Sequence, residues 1–213
     1  MLPGHEVLHR GKRPAGEQHG GFLAARATAV VRQVVAVGSA GGREPGEVIT
    51  ARDEAVIALQ LGRSPRALVG VAHRCPCGLP DVAETAPRLP DGSPFPTLYY
   101  LTCPRANAAV SRLEASGLMR EMTARLADDA MRRRYESAHH DYLTRREMAA
   151  RSAGIEPLPP GTQSAGGMPG RVKCLHALVA HELAAGGVNP FGREALDAAG
   201  EWWLPGPCVP PDA

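Results

Sequence analysis

Apolar residues recur with a readable period only from about residue 48 onward. In TARDEAVIALQLGR, Ala55, Val56 and Leu59 fall at helical spacing and form the inward stripe of a first helix. Thr50 and Asp53 stand three apart, where a hydroxyl N-cap and its reciprocal partner belong, and Gly62 supplies a stop. The Val-rich run Ala67–His73 then reads as a strand. Asp81–Leu89 and Thr97–Thr102 read as two more, with turns at CPCG and PDGS. These three predict an antiparallel meander.

Pro104 suits the first turn of a helix that buries Ala109, Val110 and Leu113 and ends at Gly117. Leu118 to Arg151 reads as one longer helix, with Met119, Met122, Leu126 and Ala130 on its apolar face. Asp128 and Asp129 precede Arg132 and Arg133 by four, the order that favours pairing within a helix. Its second half, RRRYESAHHDYLTRREMAAR, is too polar to be buried all round, and is expected to run over the surface or toward a protein partner. After a Gly/Pro/Ser loop over 153–170, Val172–Ala185 and Pro190–Ala199 predict two more helices. The fold class that follows is α+β: a small three-stranded antiparallel sheet covered by helices, in one domain over 48–200. Residues 1–47, rich in Gly, Arg and His, read as a disordered extension, and 201–213 as an irregular tail.

Composition narrows the function classes. A chain of 213 residues suits one domain with extensions, and 44% hydrophobic with 4% aromatic content predicts a core of Ala, Val and Leu. The 24 basic and 22 acidic side chains nearly cancel, leaving a net charge of +2 and no electrostatic reason to expect nucleic acid. No apolar run approaches the length of a membrane span, so no membrane is expected. The N-terminal charges have no apolar core beside them of the kind a signal peptide carries. The expected location is the reducing cytoplasm, where cysteines are buried, metal-bound or catalytic more often than paired.

The chemistry is concentrated in two blocks. In the first, Cys75 and Cys77 flank Pro76 in a rigid turn that can present two sulfurs to one side, and Cys103 closes a neighbouring strand. In the second, GGMPGRVKCLHALVAH, Cys174 opens a helix beside Arg171 and Lys173, surroundings of the kind that favour a thiolate. Four cysteines can hold zinc or an iron–sulfur cluster, with His176 or His73 as substitute ligands. The spacing differs from two C-x2-C knuckles, and the competing reading is that these thiols are small buried hydrophobes. Seven residues separate Cys174 from His181, two turns along one helix face, while His176 points elsewhere on that helix. His181-Glu182 begins an HExxH, but Ala185 stands in the second histidine's place. Cys208 reads as a free surface thiol. Gly166–Arg171 leads into a helix, where Arg171 and Lys173 can bind an anion, although the P-loop's terminal GKS or GKT is missing.

The blocks CPCG, APRLPDGSPFPTLYYLTCPR and RVKCLHALVAH…GVNP resemble the actinobacterial-type family known as domain of unknown function 501, over roughly Ile49 to Leu196. That resemblance implies no activity. It implies that the N-terminal extension and the Cys208 tail lie outside the shared domain. It also implies that Cys75, Cys77, Cys103, Cys174, His176 and His181 belong to shared motifs. Three functions stay open at this point. One is a protein holding a metal ion or cluster through Cys75, Cys77, Cys103, Cys174 and His176. Another is an enzyme using Cys174 as nucleophile, with Arg171 and Lys173 on an anionic substrate. The last is a non-catalytic interaction module with structural cysteines.

Overall fold

The Thr50–Asp53 pair forms the capping box its spacing predicts. Thr50 Oγ1 accepts the Asp53 N–H at 3.1 Å, and Asp53 Oδ2 accepts the Thr50 N–H at 3.2 Å. The box opens α1 (Ala51–Leu61), and Gly62 closes it in the left-handed region. This computed structural model describes residues 49–210, so the expectation for residues 1–47 lies outside the described residues.

The buried stripe of α1 is Asp53, Val56 and Ile57, not Ala55, Val56 and Leu59; Ala55 is exposed and Leu59 is 53% exposed. The cause is a side chain from the sheet. Arg74 grips both carboxylate oxygens of Asp53, at 2.8 and 3.0 Å, and so sets which side of the helix faces inward.

Three strands, β1 (Leu68–Arg74), β2 (Pro80–Thr85) and β3 (Tyr99–Leu101), pair antiparallel in the order β1-β2-β3, the meander read from the sequence. Every residue of the central strand β2 is buried. Ala83 joins Val71 and Ile57 in a small core under α1, while Val82 and Leu101 belong to the main core on the other face. The fold class is therefore α+β, a small antiparallel sheet with helices packed on it.

Of the helices, α2 (Pro104–Ala115) starts at Pro104 with Cys103 as its N-cap. The long helix expected over 118–151 is two. α3 (Leu118–Ala124) passes through a 3-10 turn, Arg125–Ala127, before α4 (Asp129–Ser152) begins. Asp128 makes the break: its backbone is extended and its carboxylate accepts the Met131 N–H at 2.8 Å, so it caps α4 instead of pairing within a helix.

The polar half of α4 nevertheless has an inward stripe, Tyr135, Ala138, Tyr142, Arg146, Ala149 and Ala150, which packs on the chain's own core. Tyr142 Oη accepts the Leu98 N–H at 2.6 Å, and Arg146 donates to the carbonyls of Pro96, Thr162 and Gln163. Among the described residues no helix is long and apolar enough to cross a membrane.

α5 (Leu175–Ala185) and α6 (Pro190–Ala199) complete the fold, and they touch so closely that a Cβ on Gly192 would lie 2.3 Å from the Leu178 carbonyl oxygen. The helix expected from Val172 begins three residues later. Residues 171–174 form no helix because other groups take their N–H groups: the Gly167 carbonyl that of Arg171, Thr123 Oγ1 that of Val172, and the Gly166 carbonyl those of Lys173 and Cys174. His181 lies fully buried, with Nε2 donating to Asp141 at 2.8 Å and Nδ1 facing the Asn189 amide at 3.3 Å, a packing histidine between helices.

Candidate functional site

One face of α2 and the start of α5 build the site. Asn107, Ser111 and Glu114 recur every three to four residues, so they line a single side of α2. That stripe surrounds His176. Nε2 lies 3.2 Å from the Asn107 carbonyl and 3.2 Å from Ser111 Oγ, and Nδ1 lies 3.1 Å from Glu114 Oε1. Glu114 Oε1 also accepts the Leu175 N–H at 2.7 Å, which fixes where α5 begins.

Cys174 and His176 do come together, with Sγ 4.0 Å from Nδ1. The helical expectation that His176 points elsewhere fails because Cys174 is the extended N-cap of α5 and not part of its first turn. Sγ of Cys174, Nδ1 of His176 and Oε1 of Glu114 all lie within 4.8 Å of one another. The Cys174 sulfur and then the nearer Glu114 carboxylate raise the His176 imidazole to about 9, against a counteracting effect of burial.

Cys174 and His176 border a cleft of about 520 Å3 whose lining also includes Asn107, Arg171 and Lys173. Its walls are β3 and the loop 163–168. The loop is held tightly: Gly166 has φ +63°, and a Cβ there would fall 2.5 Å from Leu178 Cδ2. Its carbonyl carries the Lys173 and Cys174 N–H bonds, at 2.6 and 3.4 Å, and the Tyr135 hydroxyl donates to the Arg171 carbonyl at 3.2 Å. Arg171 and Lys173 are both exposed on this cleft, while the intervening Val172 is buried.

The other three predicted ligands lie elsewhere. Cys75 and Cys77 contact each other in the β1–β2 turn, and Cys103 contacts Cys208. Cys208 is no surface thiol; it is half-buried, with the Gln60 amide donating to its sulfur at 3.3 Å. The four thiols Cys75, Cys77, Cys103 and Cys174 thus do not converge. Among the described residues the group of three donors within 4.8 Å is Glu114, Cys174 and His176. Burial first, then the Cys77 thiol, pushes Cys75 up to about 12, and burial first, then Cys208, pushes Cys103 up to about 11. Both are neutral thiols in packed surroundings. Glu114 escaped the sequence reading altogether. Its one signal was the Asn107–Ser111–Glu114 stripe, which carries no metal-ligand spacing.

Fold and cleft together define a class, an α+β protein in which a thiol and an imidazole line a cleft and a carboxylate contacts the imidazole. The chain belongs to the family described as protein of unknown function (DUF501), whose family model matches residues 71–197. No curated protein and no solved structure matches it. The matched span starts within β1, later than Ile49, and leaves α1 and Cys208 outside while containing Glu114, Arg171, Lys173, Cys174 and His176.

Proposed function

We propose that the protein binds a zinc ion through Glu114, Cys174 and His176 at the wall of the cleft. The observation that carries this reading is the spacing of the three donor atoms, all within 4.8 Å of one another. Bonds of about 2.0–2.3 Å place the donors of a tetrahedral zinc roughly 3.3–3.6 Å apart, so the 3.1 Å and 4.0 Å separations need only small side-chain shifts. The Asn107 carbonyl can only accept, so it favours the His176 tautomer with the proton on Nε2, which leaves Nδ1 for the metal. A mixed set of one thiol, one imidazole and one carboxylate suits zinc, whereas iron–sulfur clusters take several cysteines. Three protein donors beside an accessible cleft leave a coordination position for water or ligand, the arrangement of catalytic rather than structural zinc.

Calorimetric titration of metal-free protein with zinc tests the reading. One equivalent binds, and Cys174→Ser or His176→Ala weakens it by about tenfold or more, while Cys75→Ser leaves it unchanged. Absence of saturable binding, or equal affinity in all variants, overturns it.

A second reading has its own observation. Both ring nitrogens of His176 face acceptors, Glu114 Oε1 and the Asn107 carbonyl, which is the hydrogen-bonding pattern of an imidazolium. With no metal involved, Cys174 beside that ring is a nucleophilic thiol opening on the cleft. Turnover-dependent labelling of Cys174 by an electrophilic substrate analogue in chelator-treated protein would favour it over zinc binding.

A further inference from the structure

We infer that the cleft takes a small phosphomonoester, its phosphate group held between Arg171 and Lys173. The inference rests on the reading of this cleft as the functional site and names the class of molecule it serves.

Charge is the first argument. None of the residues lining the cleft is Asp or Glu, while Arg171 and Lys173 both line it. Among the described residues neither side chain has a hydrogen-bond or ion-pair partner, whereas Arg74, Arg125, Arg132, Arg145 and Arg193 each hold a carboxylate. Two unmatched cations against an acid-free wall is an electrostatic imbalance that an anion corrects.

Geometry is the second. Arg171 and Lys173 both line the cleft while Val172 between them is buried, and the bonds made with Tyr135, Thr123 and Gly166 hold this stretch of backbone in place. Arg171 also borders a neighbouring cleft with His139, which Lys173 does not line, whereas both cations line the cleft that holds Cys174.

The count of charges selects the ligand. A phosphomonoester carries about −1.5 to −2 at neutral pH, which matches two fixed cations, and a guanidinium meets its oxygens two at a time. A single carboxylate leaves one cation unmatched. The cleft volume of about 520 Å3 exceeds what free phosphate fills, so the remainder of the molecule lies along Thr97, Gln163 and the Cys174–His176 edge.

Calorimetry on the full chain tests this with phenyl phosphate, inorganic phosphate and phenylacetate. Phenyl phosphate binds with 1:1 stoichiometry, more tightly than the other two, and weakens by about tenfold or more in the Arg171→Gln/Lys173→Gln double variant. Cys75→Ser, at a thiol outside the cleft lining, retains it. Equal binding of phenylacetate, tighter binding of inorganic phosphate, no saturation by phenyl phosphate, or an unchanged affinity in the double variant each overturns the inference. Zinc titration of the same samples keeps the outcomes separate. Intact zinc binding without phosphate binding sinks the phosphomonoester alone, and phosphate binding without zinc sinks the metal reading alone.

Discussion

Glu114 and His176 stand 62 positions apart in the chain and 3.1 Å apart in space. The contact joins the end of α2 to the start of α5, and the same carboxylate oxygen caps α5 through the Leu175 N–H. One side chain thus sets both the electrostatics of the imidazole and the point at which its helix begins.

Replacing Glu114 with Gln separates those two roles, since the amide oxygen still accepts from Leu175 while the negative charge is gone. In metal-free protein the His176 midpoint, near 9 in the wild type, falls by about one unit or more, measured by NMR titration of the ring protons. The sign of the stability effect follows. A raised imidazole stabilises the fold fully below its ordinary value of about 6.5, and that contribution disappears as pH rises through about 9. The melting-temperature gap between wild type and Glu114→Gln therefore narrows between pH 7 and 10.

Asp53 works at the opposite end of the scale. The Arg74 guanidinium, opposed by burial and helped by Thr50, holds its carboxyl well below the usual range. A depressed carboxylate contributes stability above about pH 3.9 and loses it as pH falls toward the folded value. Asp53→Asn is expected to cost about 1–3 kcal/mol at pH 7 by denaturant melts and to flatten the acid limb of the stability curve below pH ~4. A wild-type acid limb unchanged by the substitution rules out this account.

Gly166→Ala tests the loop that carries the cleft. Its φ of +63° and the 2.5 Å approach to Leu178 Cδ2 leave no room for a methyl group. A loss of about 1–3 kcal/mol is expected, together with weaker zinc binding because the Gly166 carbonyl anchors Cys174. Gly170→Ala, where a Cβ meets nothing within 4 Å, serves as the control and leaves both measurements unchanged.

The cysteines rank themselves by surroundings. Cys174 lines the cleft and is half-buried, while Cys75 and Cys103 are buried thiols raised to about 12 and about 11. Iodoacetamide at pH 7.5 followed by peptide mass spectrometry is expected to label Cys174 on folded protein at least about tenfold faster than Cys75 or Cys103. Zinc slows the labelling of Cys174 alone. Comparable rates at all three positions contradict this assignment of roles.

Local signals carried the fold a long way. The Thr50–Asp53 box, the Gly62 stop, the meander and the Pro190 helix are set within a few residues of chain, and the sequence displays them. Errors arose where distant groups decide. Arg74 rotates α1, and Thr123 with the Gly166 carbonyl holds 171–174 out of the helix, whereas the Asp128 cap on Met131 was a local signal left unread. The site followed the same division. Cys174, His176, Arg171 and Lys173 were recognisable as neighbours in sequence, and all four line one cleft. Joining Cys174 to the CPC turn needed a long-range approach that periodicity does not encode. Choosing Glu114 needed the packing of α2 on α5, which lies beyond any local pattern.

Arg146 adds a mechanical consequence. Its guanidinium ties the carbonyl of Pro96, just before the cleft-lining Thr97, to those of Thr162 and Gln163 on the facing loop. The helix half read as too polar to be buried all round thus supplies a brace between the two walls. The two walls are thereby tied to each other through one side chain before anything binds between them.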